Sequence, residues 1–188
     1  MRAAIAGDAD AFHRLVDRYL PRIHRVLGRL AGWNWAEDLA QEVFLRAYER
    51  RASYREASGS FSAWIHGIAR NLAIDFLRRR RSTVPLPDPS STAGPVARNT
   101  APDAGATDHE TRVALERAIA GLPLVFRTAV VLCAIEGMSY EEAAAIEGCP
   151  AKTISSRLAR GRALLRTALA RHLDDPGPGP SLAEEHDA

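Results

Sequence analysis

One turn constrains this chain more than any other stretch: Gly148-Cys149-Pro150. Just upstream, Ser139-Tyr140-Glu141-Glu142 has the form of a capping box. In that motif the Ser139 hydroxyl accepts the third backbone N–H, and Glu142 reaches back to the serine's own N–H. A short helix follows through Ala143, Ala144 and Ala145 and stops at Gly148, because glycine adopts the left-handed conformation that ends a helix. Pro150 then fits the first turn of a second helix. That second helix carries Lys152, Arg157, Arg160 and Arg162, and two helices joined so tightly read as a helix-turn-helix. Its second helix would enter a major groove, with Thr153, Ser155 and Ser156 within reach of base edges or phosphates. A helical hairpin whose arginines merely face solvent is the plainer alternative.

The charge distribution favours a polyanion partner. Net charge is only +2. Yet residues 1–82 hold fifteen basic against nine acidic side chains, and residues 111–173 nine against five. Residues 83–110 and 174–188 are both acidic on balance. Two basic blocks separated by an acidic strip suit a two-lobed nucleic-acid binder. All basic residues but Lys152 are arginine, which favours forked phosphate and guanine contacts, although a GC-rich genome would give the same bias. The two cysteines, Cys133 in an apolar run and Cys149 in the turn, have no CxxC or Cys/His spacing, so a buried thiol and a turn residue are expected. With no apolar stretch of signal-peptide or membrane-spanning length, the expectation is a soluble, cytoplasmic protein.

Residues 1–82 read as helix throughout, without a convincing strand alternation. Asp8 is placed to cap a helix to about Leu30, with Phe12, Leu15, Val16, Tyr19, Ile23, Val26, Leu27 and Leu30 on one stripe. Pro21 is expected to kink or break it. After a turn at Gly32 to Asn34, with Asn34 as the expected cap, a helix from Trp35 to about Arg50 buries Ala36, Leu39, Ala40, Val43 and Ala47. Its outer stripe is Asp38, Gln41, Glu42, Leu45 and Glu49, a set that suits a basic partner surface. Asp38 and Glu42 lie one turn apart, but no neighbouring ligand completes a metal site. A polar loop, Tyr54 to Ser60, leads into a long helix capped by Ser60, with Phe61, Trp64, Ile65, Ile68, Ala69, Leu72, Phe76 and Leu77 in its apolar stripe. It ends in Arg78-Arg79-Arg80-Arg81. Tyr54, in the loop, is the expected exposed stacking residue for an unpaired base.

Three of these motifs together resemble one family. Asp38 to Tyr48, Phe61 to Asn71 with Asp75 to Arg81, and the helix-turn-helix from Ser139 to Arg162 are similar, in that order, to the bacterial RNA polymerase sigma factors. Small size and the missing middle domain point to group IV, the extracytoplasmic-function (ECF) factors.

The expected fold is all-α: a domain over 1–82, a flexible proline-rich linker over 83–108, a helix-turn-helix domain over 109–173 and a disordered acidic tail over 174–188. The 26-residue linker would span roughly 25–30 Å as a random coil, letting two DNA-binding lobes reach separate sites. A helix from about Thr111 to Gly121 and another from Leu124 to Glu136 complete the second domain.

The resemblance implies a role for each surface. Asp38, Gln41, Glu42, Leu45 and Arg46 would dock on the clamp helices of the polymerase β′ subunit. Tyr54, Arg55, Ser58, Ser60 and Asn71 would capture unpaired bases of the minus-ten promoter element, with Arg78 and Arg79 on backbone phosphate. Lys152, Thr153, Ser155, Ser156, Arg157, Ala159, Arg160 and Arg162 would read the minus-thirty-five element as duplex. Lys152 stands where the family commonly has glycine, and Ser155 where a basic residue is common, so promoter specificity is not transferable. Glu147 replaces a usual apolar residue before the turn, either loosening it or facing solvent. The resemblance implies no catalytic activity, no cofactor or metal and no small-molecule substrate, and it adds an anti-sigma partner. A stand-alone helix-turn-helix regulator of duplex DNA is the alternative, but it leaves the Asp38–Tyr48 face and the arginine cluster unused. A metal-dependent nuclease using Asp38 and Glu42 ranks below both.

Overall fold

The computed structural model describes residues 2–5, 7–55, 59–83 and 106–174. The described residues form helices and turns with no strand. Helix α1 (Arg2–Ile5), which the sequence pattern did not signal, precedes α2 (Ala9–Ala31). The Asp8 carboxylate caps α2 by accepting the Ala11 N–H at 2.9 Å. Pro21 does not end this helix, which continues unbroken to Ala31 with the exposed proline on its solvent side. Gly32 closes α2 at φ +106°, its N–H donating to the Gly28 carbonyl.

A 3₁₀ turn, Trp33–Trp35, takes the place of the expected Asn34 cap, and α3 (Ala36–Glu49) starts without a side-chain cap. The reason is tertiary. The Trp33 ring lies so close over Gly28 that a β-carbon there would sit 2.4 Å from it, and this packing dictates the turn. Helix α3 buries Ala36, Leu39, Ala40, Val43, Phe44 and Ala47 against α2 and α4 (Phe61–Thr83). From α4, Phe61, Ile65, Ala69 and Leu72 enter the same core. Each large side chain so enclosed contributes roughly 1.5–3 kcal/mol of transfer free energy.

The second lobe comprises α5 (Ala106–Ala120), α6 (Leu124–Ala129), a π-helical segment (Val130–Ile135), α7 (Tyr140–Glu147) and α8 (Ala151–Asp174). Helix α5 starts at Ala106, upstream of the expected Thr111. The wider π-helical turn is marked by the Glu136 N–H reaching the Val131 carbonyl five residues back. Leu132, Met138, Ala143, Ala144 and Ile154 form the heart of the helix-turn-helix. The bulk of the expected linker and the tail beyond Asp174 lie outside the described residues.

The lobes are packed together rather than held apart. Ile119 and Val131 of the second lobe join the core built on α2, α3 and α4. Polar contacts reinforce this seam. Arg29 pairs with Glu116 at 2.6 Å, and Arg127 donates to the Leu30 carbonyl at the end of α2.

Candidate nucleic-acid interface

Helix α4 begins at a cleft. Ser60 caps the helix, its hydroxyl accepting the Ala63 N–H at 3.1 Å. The preceding Gly59 sits at φ +133°, a conformation that glycine adopts without strain, and its carbonyl accepts the Tyr54 hydroxyl at 3.0 Å. The cleft, of about 370 Å³, is lined by Tyr54, Arg55, Ser60 and Asn71, together with Arg50, Ser53 and Trp64. Of the residues expected to take unpaired bases, four are therefore gathered here, and Ser58 lies outside the described residues. Hydroxyls, an amide and guanidinium groups around aromatic edges can hydrogen-bond and stack a splayed base.

Tyr54 is not exposed as expected. It is only 8% exposed, packed against Phe61 and Trp64 with ring centroids 5.8 and 5.4 Å away. The loop folds the ring inward because the Tyr19, Phe61 and Trp64 cluster offers it apolar cover. Trp64 is half-buried, packing against the core with one side and forming part of the cleft wall with the other. At the far end of α4, Arg78 and Arg79 are exposed, while Arg80 lies over Trp35 and Phe76 at 5.2 and 5.8 Å.

The outer face of α8 carries the duplex-reading candidates. Lys152, Ser155, Ser156, Ala159, Arg160 and Arg162 are exposed and share one side of the helix. Ile154, Leu158 and Gly161 are buried on the other. The capping box of α7 is complete, and Gly148 ends that helix in the left-handed conformation at φ +64°. Thr153 is half-buried, and its carbonyl accepts the Ser156 hydroxyl at 2.9 Å.

Arg157 turns away from the exposed row. Its guanidinium donates to Glu147 Oε2 at 3.0 Å and approaches Cys149 Sγ at 3.8 Å. Glu147 neither faces solvent nor loosens the turn. Its side chain is 3% exposed, and its other oxygen accepts Arg70 Nε from α4 at 2.8 Å. Arg70 also donates to the Asn71 amide oxygen at 3.0 Å, tying this pair to the cleft. Nothing local in the sequence signals the triad, because Arg70 and Glu147 are 77 residues apart. Both cysteines are half-buried, and burial pushes the Cys133 thiol above its ordinary range despite the opposing charge of Arg162.

A third surface lies on α3. Asp38, Gln41 and Leu45 are exposed, Leu45 to 59%, and Glu42 binds Arg46 across one helical turn at 2.5 Å. An exposed leucine here stands amid acidic and amide side chains. Among the described residues, no group of three or more His, Cys, Asp or Glu side chains is placed to hold a metal ion. Nor is any described helix long and apolar enough to cross a membrane.

Comparison with known proteins gives two family matches, in order along the chain. Residues 15–83 match Sigma-70 region 2, and residues 112–165 match Sigma-70 region 4. The chain is 38% identical over 170 residues to the ECF RNA polymerase sigma factor SigE of Mycolicibacterium smegmatis, covering 88% of this chain and 65% of that protein. It is 34% identical over 171 residues to the ECF RNA polymerase sigma factor SigW of Bacillus subtilis, covering 87% of this chain and 91% of the relative. Among solved structures, the sigma factor RpoE in complex with the anti-sigma factor NepR from Bartonella quintana superposes with a TM-score of 0.69. That match has 27% identity and covers 86% of this chain and 98% of that one.

Proposed function

The chain belongs to the ECF family of RNA polymerase sigma factors, and from that premise we propose how its surfaces divide the work of promoter-specific transcription initiation. Core RNA polymerase docks on α3 through Asp38, Gln41, Glu42, Leu45 and Arg46, its β′ clamp helices covering the exposed leucine. The cleft at the start of α4 takes bases unpaired from the minus-ten element against Arg55, Ser60, Asn71 and the edge of Tyr54. Arg78 and Arg79 hold the adjoining phosphates. Unpairing a base costs a few kcal/mol, which stacking at about 1–3 kcal/mol per base and edge hydrogen bonds offset. The outer face of α8, from Lys152 to Arg162, reads the minus-thirty-five element as duplex. RNA synthesis itself is the polymerase's chemistry, and the chain works in the cytoplasm under the control of an anti-sigma protein.

The observation that carries this reading is the joint presence of three surfaces in one chain. A leucine-centred acidic face, a base-sized cleft and a basic recognition helix stand on α3, α4 and α8. A stand-alone regulator would use only the last. The test is binding of purified protein to core polymerase, beside Asp38→Arg and Leu45→Arg variants. Tight binding is expected, weakened about ten-fold or more by Leu45→Arg, because burying a leucine contributes roughly 1.5–3 kcal/mol. Absence of core binding, together with sequence-specific binding of free duplex, would assign the chain to the stand-alone regulators.

A further inference from the structure

The minus-ten cleft is not open to its full extent, because Ala145 and Ile146 of α7 form one of its walls. Those residues belong to the helix-turn-helix, so in this arrangement the second lobe leans over the surface that the first lobe presents to DNA. Apart from Arg127, which donates from the second lobe to the Leu30 carbonyl, the polar side-chain contacts across the seam share one polarity. Basic or hydrogen-donating groups come from the first lobe and carboxylates from the second. Arg29 meets Glu116, Ser60 donates to Glu142 Oε1 at 3.1 Å, His66 lies 3.9 Å from Glu136, and Arg70 meets Glu147. Glu147 joins Arg70 of the first lobe to the recognition helix, since its second oxygen holds Arg157.

We propose that Glu147 is a latch: its buried carboxylate occupies the guanidinium groups of Arg70 on the minus-ten helix and of Arg157 on the recognition helix, each of which would otherwise be open to a DNA phosphate, and holds the chain in a closed state that DNA must displace. This inference rests on the sigma reading and concerns the regulation of the same surfaces. A carboxylate bound by two guanidinium groups presents the charge and acceptor geometry that those groups offer to a phosphodiester. While it is engaged, both arginines are spent on the protein and the cleft is partly walled by α7. Apparent DNA affinity is then reduced by the fraction of molecules that are closed. Because the second lobe recruits its own acids to the first lobe's bases, opening exposes both DNA surfaces together.

Two readouts on the full-length chain test this. Fluorophores on Asp17→Cys and Ala168→Cys, both exposed positions, report interlobe distance when Cys133 and Cys149 are replaced by alanine. A short fluorescent single-stranded oligonucleotide of mixed sequence reports the cleft. The parent should show one short, narrow distance distribution. Glu147→Gln should lengthen and broaden it and bind the oligonucleotide about five-fold tighter or more. Glu116→Gln weakens the seam at Arg29, outside the cleft, and should shift both readouts in the same direction. That agreement would separate opening from a local change at Arg157. A parent already long and broad would overturn the proposal, and so would a Glu147→Gln chain with unchanged distance, whatever its affinity. Opening with no oligonucleotide binding in any form would refute the minus-ten role of the cleft and with it the inhibition. Binding to core polymerase would be untouched by that result.

Discussion

His66 occupies the seam between α4 and the second lobe, its ring almost wholly enclosed. Its Nδ1 lies 2.7 Å from the Ser62 carbonyl, which selects the neutral tautomer with the proton on Nδ1. Nε2 then faces Glu136 Oε2 at 3.9 Å without a hydrogen bond to any described residue. Burial lowers the pKa from its ordinary 6.5, outweighing the Ser62 carbonyl and Glu136, which favour the charged ring, while Arg22 adds to the lowering. As pH falls below 6.5 the unfolded chain therefore binds this proton more readily than the folded one, and stability declines on acidification. The melting temperature should fall between about pH 7.5 and 5.5, and His66→Leu should make that fall shallower. Parallel pH profiles for the two proteins would remove His66 as the cause.

At the scale of elements, α8 packs tightly against the α6 region at Gly161. A β-carbon at Gly161 would sit 2.7 Å from Val130 Cγ2 and 3.3 Å from the Phe126 carbonyl oxygen. Alanine favours a helix by up to about 1 kcal/mol over glycine, but the carbonyl belongs to backbone and cannot swing aside. Gly161→Ala should therefore cost a net 1–2 kcal/mol or so in chemical denaturation, as overpacking does. A stabilised variant would show that the two helices part easily. Features such as this contact separate what the sequence discloses from what it hides. The buried stripe of α3 and the outward row of α8 are legible because helical period alone sets them. The caps at Asp8, Ser60 and Ser139 are legible because donor and acceptor lie within three residues of each other. The Trp33 turn, the inward fold of Tyr54 and the burial of Glu147 answer to partners elsewhere in the fold, for which periodicity has no signal. Pro21 marks no break for a different reason. Its missing N–H and added ring are borne on an exposed face, where the helix passes through.

At the scale of the whole molecule, Arg127 joins the lobes through carbonyl groups left over at helix ends. Its guanidinium donates to Leu30 at the end of α2 at 3.1 Å, to Ala120 at the end of α5 and to Leu122 at 3.0 Å. Hydrogen bonds to a charged donor are worth roughly 1.5–3 kcal/mol, and carbonyls left unpaired in a seam carry their desolvation cost as well. Arg127→Ala should lower stability by about 2–3 kcal/mol in urea unfolding and loosen the seam. A change below about 0.5 kcal/mol would mean that water replaces the guanidinium without loss. The Glu147 triad has a consequence in heredity as well. A buried carboxylate between two arginines makes positions 70, 147 and 157 a single inherited unit, although their codons lie far apart. A lineage that loses the acid frees both arginines for DNA, and one that carries an apolar residue at 147 is free to retune position 157 toward a different promoter.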